Sequence, residues 1–184
     1  DDIKPLWGSS IGGIATVPSV YSSTLASGDA SVANGTGSTA STAGAVAVGA
    51  MATASGVTGT AVGLYAQATN DYSVALGAGS SAFGVDSTAV GVGAGATSLG
   101  SSAIGFSAKA TANKTVAIGY FASAIAVDSI AIGDGTISSG DNAIAVGLNA
   151  SATNNNAIAV GNTANATNDR TIAIGLSASA TTSD

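Results

Sequence analysis

The chain has 184 residues, with ten Asp and Glu against four Lys and Arg, a net charge of −6, and neither Cys nor His. Too few cations are present to neutralise nucleic-acid phosphates, a disulfide scaffold is excluded, and the commonest catalytic bases, nucleophiles and metal ligands are missing. Only 4% of the residues are aromatic and 26 are Gly, so the side chains are too small for a deep globular core and backbone must lie close to backbone.

The mean hydropathy is positive, yet apolar residues alternate with small polar ones and never run unbroken for the length of a helical membrane span. The Asp1-Asp2-Ile3-Lys4-Pro5 start has no basic region followed by an apolar stretch. An export signal is therefore expected to have been removed or to lie outside this sequence.

Residues 1–28 keep no period. They hold Trp7, Pro5 and Pro18, with Leu6, Ile11, Ile14 and Tyr21 as further bulky anchors. An irregular or capping segment is expected there, because a solenoid's open end strands invite pairing with other chains. Ser31-Val32-Ala33-Asn34-Gly35 then reads as a degenerate first coil, 14 residues before Gly49, in a repeat region covering residues 29–184.

From Gly49 a step of 14 lands on glycine each time: Gly49, Gly63, Gly77, Gly91, Gly105, Gly119, Gly133, Gly147, Gly161 and Gly175. A fixed period of this kind marks a repeat architecture. Two residues before each glycine stands alanine, from Ala47 to Ala173. The residue just before it is always branched and aliphatic: Val48, Val62, Leu76, Val90, Ile104, Ile118, Ile132, Val146, Val160 and Ile174. Alternation puts the aliphatics on one face of a strand and the alanine on the other, so both faces call for burial.

Three and five residues past the glycine a second, mostly alanine pattern appears, as in Ala108 and Ala110, flanked by Ser, Thr, Asn, Lys and Gln. It predicts a strand with one small apolar face and one wet face. Each coil then holds two short strands and two tight turns. Glycine at the first turn supplies positive φ, and Asn or Asp at the second tolerates the left-handed region. The fold expected is all-β, a flat parallel β-roll solenoid whose ten regular coils, stacked at ~4.8 Å, make a rod of about 50 Å. With alanines inside, the aliphatic column has no cover within one chain and becomes an oligomer interface. The reverse arrangement, aliphatics inside and alanines at a close interface, fits the same alternation.

The phrases Asn142-Ala-Ile-Ala-Val-Gly147, Asn156-Ala-Ile-Ala-Val-Gly161, Ser129-Ile-Ala-Ile-Gly133 and Lys114-Thr-Val-Ala-Ile-Gly119, each followed closely by the second pattern, resemble the head repeats of trimeric autotransporter adhesins, the YadA-like family. The resemblance covers residues ~30–184, as ten in-register copies of the period. It implies a homotrimer of left-handed rolls on the outer surface of a Gram-negative bacterium, acting in adhesion and virulence. A stalk and an outer-membrane anchor that this sequence does not contain would provide the only membrane contact. The expected partners are host extracellular matrix proteins, host cell-surface receptors or other bacteria. Neither neck, heptad stalk nor anchor sequence is recognisable, so the chain is expected to be a head fragment. Thr136 and Ser138 replace the usual alanines after Gly133, where a local irregularity without a break is expected.

Catalysis, cofactors and metals are not expected. The hydroxyl residues sit on repeat columns and read as structural, and Gly91-Val92-Gly93-Ala94-Gly95 lacks the spacing and helix of a phosphate loop. Asp71, Asp86, Asp128, Asp141 and Asp169 read as turn residues, because a calcium site needs six to eight oxygens. The triplets Asn113-Lys114-Thr115 and Asn165-Ala166-Thr167 are chance-level glycosylation matches in so Asn- and Thr-rich a chain. Phe106 and Tyr120, one coil apart, share a column with Leu64, Val92, Leu148 and Leu176 and are assigned to subunit packing. Tyr65 and Phe121, one position further on, are the candidate ligand contacts. The reading is a non-enzymatic adhesin head. Its alternatives are a passive spacer or an ice-binding solenoid, the latter on Thr97, Thr111, Thr153, Thr167 and Thr181, whose partner column of Gly95, Lys109, Ser151, Asn165 and Ser179 supplies no second threonine rank.

Overall fold

A 14-residue period with two short alternating segments leaves room for one strand on each side and a tight reversal at each end. The computed structural model describes residues 14–16 and 24–182. Its strands, numbered along the chain, run from β1 (Ile14–Thr16) to β24 (Ser179–Ala180). The three-residue odd-numbered strands form one twelve-stranded sheet, here the first sheet, and the two-residue even-numbered strands form the second. Each sheet follows chain order and pairs in parallel, as a solenoid must, and no helix occurs among the described residues.

Register turns sequence columns into spatial columns. Val116 lies opposite Ile130, Ala117 opposite Ala131 and Ile118 opposite Ile132, so like packs on like along the axis. The first step differs: Ile14 faces Val32, a spacing of 18 residues, whereas Leu25 faces Thr39. Both sheets therefore reach into residues 1–28. The anchors Pro5, Leu6, Trp7, Ile11, Pro18 and Tyr21 lie outside the described residues.

Alanine fills the roll. Ala47, Ala61, Ala117 and Ala145 of the first sheet and Ala54, Ala110 and Ala152 of the second are fully buried, and among the described residues no fully buried side chain exceeds threonine in size. The gap between the sheets admits only such groups, and each buried methyl contributes about 0.8 kcal/mol. An isoleucine pointing inward would overpack it. The aliphatic column therefore points outward, with Val62, Leu76, Ile104 and Ile132 each more than a third exposed.

The coil after Gly133 keeps its place in both sheets, with Ile137 between Ser123 and Ser151. Thr136 and Ser138 are buried where most other coils bury alanine, Ser38 and Ser80 sharing the column of Thr136. Their hydroxyls donate to the carbonyls of Gly133 at 3.0 Å and Ala143 at 2.9 Å. Those bonds offset the desolvation of two polar groups. The alanine core nonetheless divides here, into one body ending at Ala131 and another starting at Ala143.

Both turns close with the same bond, from Ala52 N–H to the Gly49 carbonyl and from Ala45 N–H to the Thr42 carbonyl, each at 3.2 Å. Both place their third residue in the left-handed region, as at Met51 (φ 57°) and Gly44 (φ 67°). The recurrent glycine adds a second constraint. Gly119 has φ +136°, and a Cβ there would sit 2.2 Å from the carbonyl oxygen of Gly133 in the next coil. Coil stacking, as well as φ, forbids a side chain. At the second turn Asp86, Asp128, Asn142 and Asn156 take φ near 56°, as the left-handed tolerance of Asx residues suggests. The first turn imposes the same conformation on Tyr65 (57°), Phe121 (53°) and Thr163 (55°), which their sequence does not foreshadow.

Candidate assembly and adhesive surfaces

Two outer faces and two turn edges make up the surface of the rod. On the first sheet, the outward positions are the aliphatic column and the residue two before it. Val48, Val90, Ile118, Val146 and Val160 are half-buried by their neighbours along the axis, and Ile174, in the last described coil, is the most exposed of the column. Leu64, Val92, Phe106, Tyr120 and Leu148 extend this face past the glycine onto the first turn, each 44–52% exposed. The column from Val48 to Ile174 thus makes a continuous apolar stripe, whose flanking columns are broken by Thr60, Thr88, Ser102, Asp134 and Asn162.

Phe106 and Tyr120 stack with ring centroids 5.1 Å apart. That offset-parallel contact follows from their place in one column on adjacent coils. Phe121 joins them edge-on, 5.5 Å from Phe106 and 4.5 Å from Tyr120. The three rings thus form one cluster, and the two roles assigned to this region by sequence meet in it. Tyr65 stands apart, 56% exposed.

The second sheet presents a mostly polar outer face, with Thr53, Gln67, Ser81, Lys109, Ser123, Ser151 and Asn165 in one column. The buried hydroxyls serve the turns: Ser73, Ser87, Ser101 and Thr115 donate to the carbonyl three residues back at 2.5–2.7 Å. None is presented as a nucleophile. Several Asp and Asn side chains at the second turn accept hydrogen bonds from backbone one coil earlier. Asp71 accepts from Val57 N–H at 2.8 Å, Asp141 from Val127 N–H at 3.1 Å, Asn155 from Asp141 N–H at 3.0 Å and Asp169 from Asn155 N–H at 3.1 Å. Each bond spans one coil, so side chains continue the ladder where the backbone turns away from it.

Sequence reasoning missed Ile125 and Ile137, 48% and 44% exposed on the second sheet's outer face. Their signal was available as aliphatic residues in columns that are mostly polar, which also hold Leu25 and Phe83, but the column averages hid it.

No curated protein matches the chain. A family model described as the YadA head domain repeat (2 copies) matches it at residues 26–52, 54–80, 68–94, 82–107, 96–122, 124–150 and 152–178. Those matches span most of the chain in steps that follow the coils of the solenoid. The chain therefore belongs to the YadA head-repeat family, whose repeats build the heads of trimeric autotransporter adhesins and not the bodies of enzymes.

Proposed function

We propose that this chain is the exposed head of an adhesin on the outer surface of a Gram-negative bacterium. Three copies pack through the aliphatic outer face of the first sheet, and the second-sheet faces turn outward to meet host matrix proteins, host cells or other bacteria. The observation that carries the assembly is the placement of Val62, Leu76, Ile104 and Ile132 outside a roll already filled by alanine. An apolar stripe of about 50 Å exceeds the patch that a soluble monomer tolerates. Residues Val48 through Ile174 of that column, with Phe106 and Tyr120, then lie between subunits.

Binding by such a head is repetitive and non-catalytic. The outer columns offer similar small polar groups coil after coil, so single contacts are weak and adhesion rests on multiplicity across three chains and many heads. Beads carrying the head at high density are expected to adhere to at least one surface among a panel of matrix proteins and host cells. Soluble head should compete poorly with them. Beads that bind nothing in the panel, or soluble head that blocks them at an equal number of binding sites, would count against an avidity-driven adhesin.

A further inference from the structure

We infer that copies of this chain meet along a diagonal of the first sheet's outer face, so that the rods cross at an angle to their stacked columns instead of lying flush along them. This rests on the assembly proposed above and adds the line that the contact follows. Three columns face outward on this side. The central aliphatic one runs from Val48 to Ile174, a strand flank lies two residues before it, and a turn flank lies two residues after it. Register stacks each strand column on itself, Val116 on Ile130 and Ile118 on Ile132. An apolar band that keeps to its columns therefore runs straight, and one that changes flank runs aslant.

The polar breaks in the flanks are sorted along the rod. On the strand flank they are Thr60, Thr88 and Ser102, all within the five regular coils from Gly49 to Gly105. On the turn flank they are Asp134 and Asn162, both within the five from Gly119 to Gly175. In each of these coils the opposite flank is apolar: Leu64, Val92 and Phe106 stand across from Thr60, Thr88 and Ser102, and Ile130 and Ile158 stand across from Asp134 and Asn162. The remaining coils carry no break. The coil of Gly119 lies at the changeover, with Val116, Ile118 and Tyr120 apolar at all three positions, and there the Tyr120 ring stacks on that of Phe106.

Among the described residues none of the five polar side chains has a hydrogen-bond partner. Each depends on water, and covering it with a partner's aliphatic surface would cost its hydration. These positions therefore mark the rim of the contact. The dry band includes the central column throughout, widening toward the turn flank at Leu64 and Val92 and toward the strand flank at Ile130 and Ile158. Its centre moves by two residues, on the order of 7 Å, while the rod rises five coils, on the order of 24 Å. That is a slope of about 15°. Two such bands in contact cross by about twice as much, close to the ~30° at which aligned sheets pack. An apolar stripe that drifts across a straight element makes its partners wind about one another. A second copy of the chain fits this surface because it carries a band of the same slope.

Matched substitutions in the full chain test the diagonal by sedimentation equilibrium, with circular dichroism on the same samples and one urea concentration that brings wild-type dissociation into the dilution series. Asn on the turn flank and Thr on the strand flank already occur in those columns, as Asn162 and Thr88, so the roll accommodates both. Leu64→Asn and Leu148→Asn change the same residue in the same column, at positions of similar exposure. Val74→Thr and Val116→Thr do the same on the strand flank, where both valines are half-buried. Leu64→Asn and Val116→Thr, within the band, should each raise the chain concentration at the dissociation midpoint at least fivefold. Leu148→Asn and Val74→Thr, outside it, should each raise it less than twofold. Equal shifts within either matched pair, or a larger shift from the member outside the band, would overturn the diagonal while leaving the trimer standing. A folded wild type of single-chain mass would overturn the trimer and the diagonal with it.

Discussion

The two sheets share a period, an alanine interior and a parallel register, yet their outer faces differ. The first presents branched aliphatics, such as Val116 and Ile118, at most outward positions of its three-residue strands, with Thr60, Thr88 and Ser102 as exceptions; the second presents mainly small polar groups, such as Ser123 and Ser151. Water satisfies the second face without help. On the first, each square ångström of apolar area removed from water contributes about 25 cal/mol, which is available only if another molecule covers it. Inner faces therefore determine the roll, and outer faces determine what the roll does.

The largest expected effect comes from making the first face resemble the second too strongly. Ile104→Asp with Ile118→Asp places unpaired charges where subunits meet, and a loss of more than about 4 kcal/mol per chain is expected. Thermal unfolding with sedimentation would show dissociation and collapse together; retention of wild-type mass and melting would remove the first sheet from the interface.

Next comes the turn that joins the faces. Gly119→Ala meets both a φ of +136° and the Gly133 carbonyl, and should cost about 3 kcal/mol. Asn142→Ala, at φ 56° on the second turn, should cost about 1 kcal/mol. Denaturant midpoints of the two variants compare the turns directly, and equal midpoints would mean that the close approach between coils carries no weight.

An effect no larger than that of Gly119→Ala is expected inside. Ala117→Leu adds three carbons to a fully buried position, and overpacking should cost roughly 1–3 kcal/mol. Lys109→Ala, on the exposed second face, should stay within about 0.5 kcal/mol of wild type. Matching melting curves for these two would reverse the assignment of inside and outside.

Much of this was legible because the repeat supplies its own controls. The column from Ala47 to Ala173 never grows, which signals a gap that admits nothing larger, and the column from Gly49 to Gly175 never gains a side chain. Periodicity yielded strand, turn and parallel stacking, but alternation alone left open which apolar face lies inside. That choice depends on the width between sheets, set by turns too tight for anything beyond threonine. Turn propensity also explained Asn142 and Asp128 but not Tyr65 or Phe121, whose left-handed backbone is imposed by the coil against local preference. The Asp141–Asn155–Asp169 ladder escaped because it depends on side chains reaching one coil down the axis. Ile125 and Ile137 escaped for the opposite reason: they break columns instead of making them.

The central claim is that the aliphatic face of the first sheet is covered by other copies of the chain. Sedimentation equilibrium across a wide dilution series, with circular dichroism on the same samples, tests it most directly. The account predicts three times the chain mass wherever β-structure persists, and loss of both together on extreme dilution. A folded species of single-chain mass, keeping its β-signal throughout the series, would contradict it.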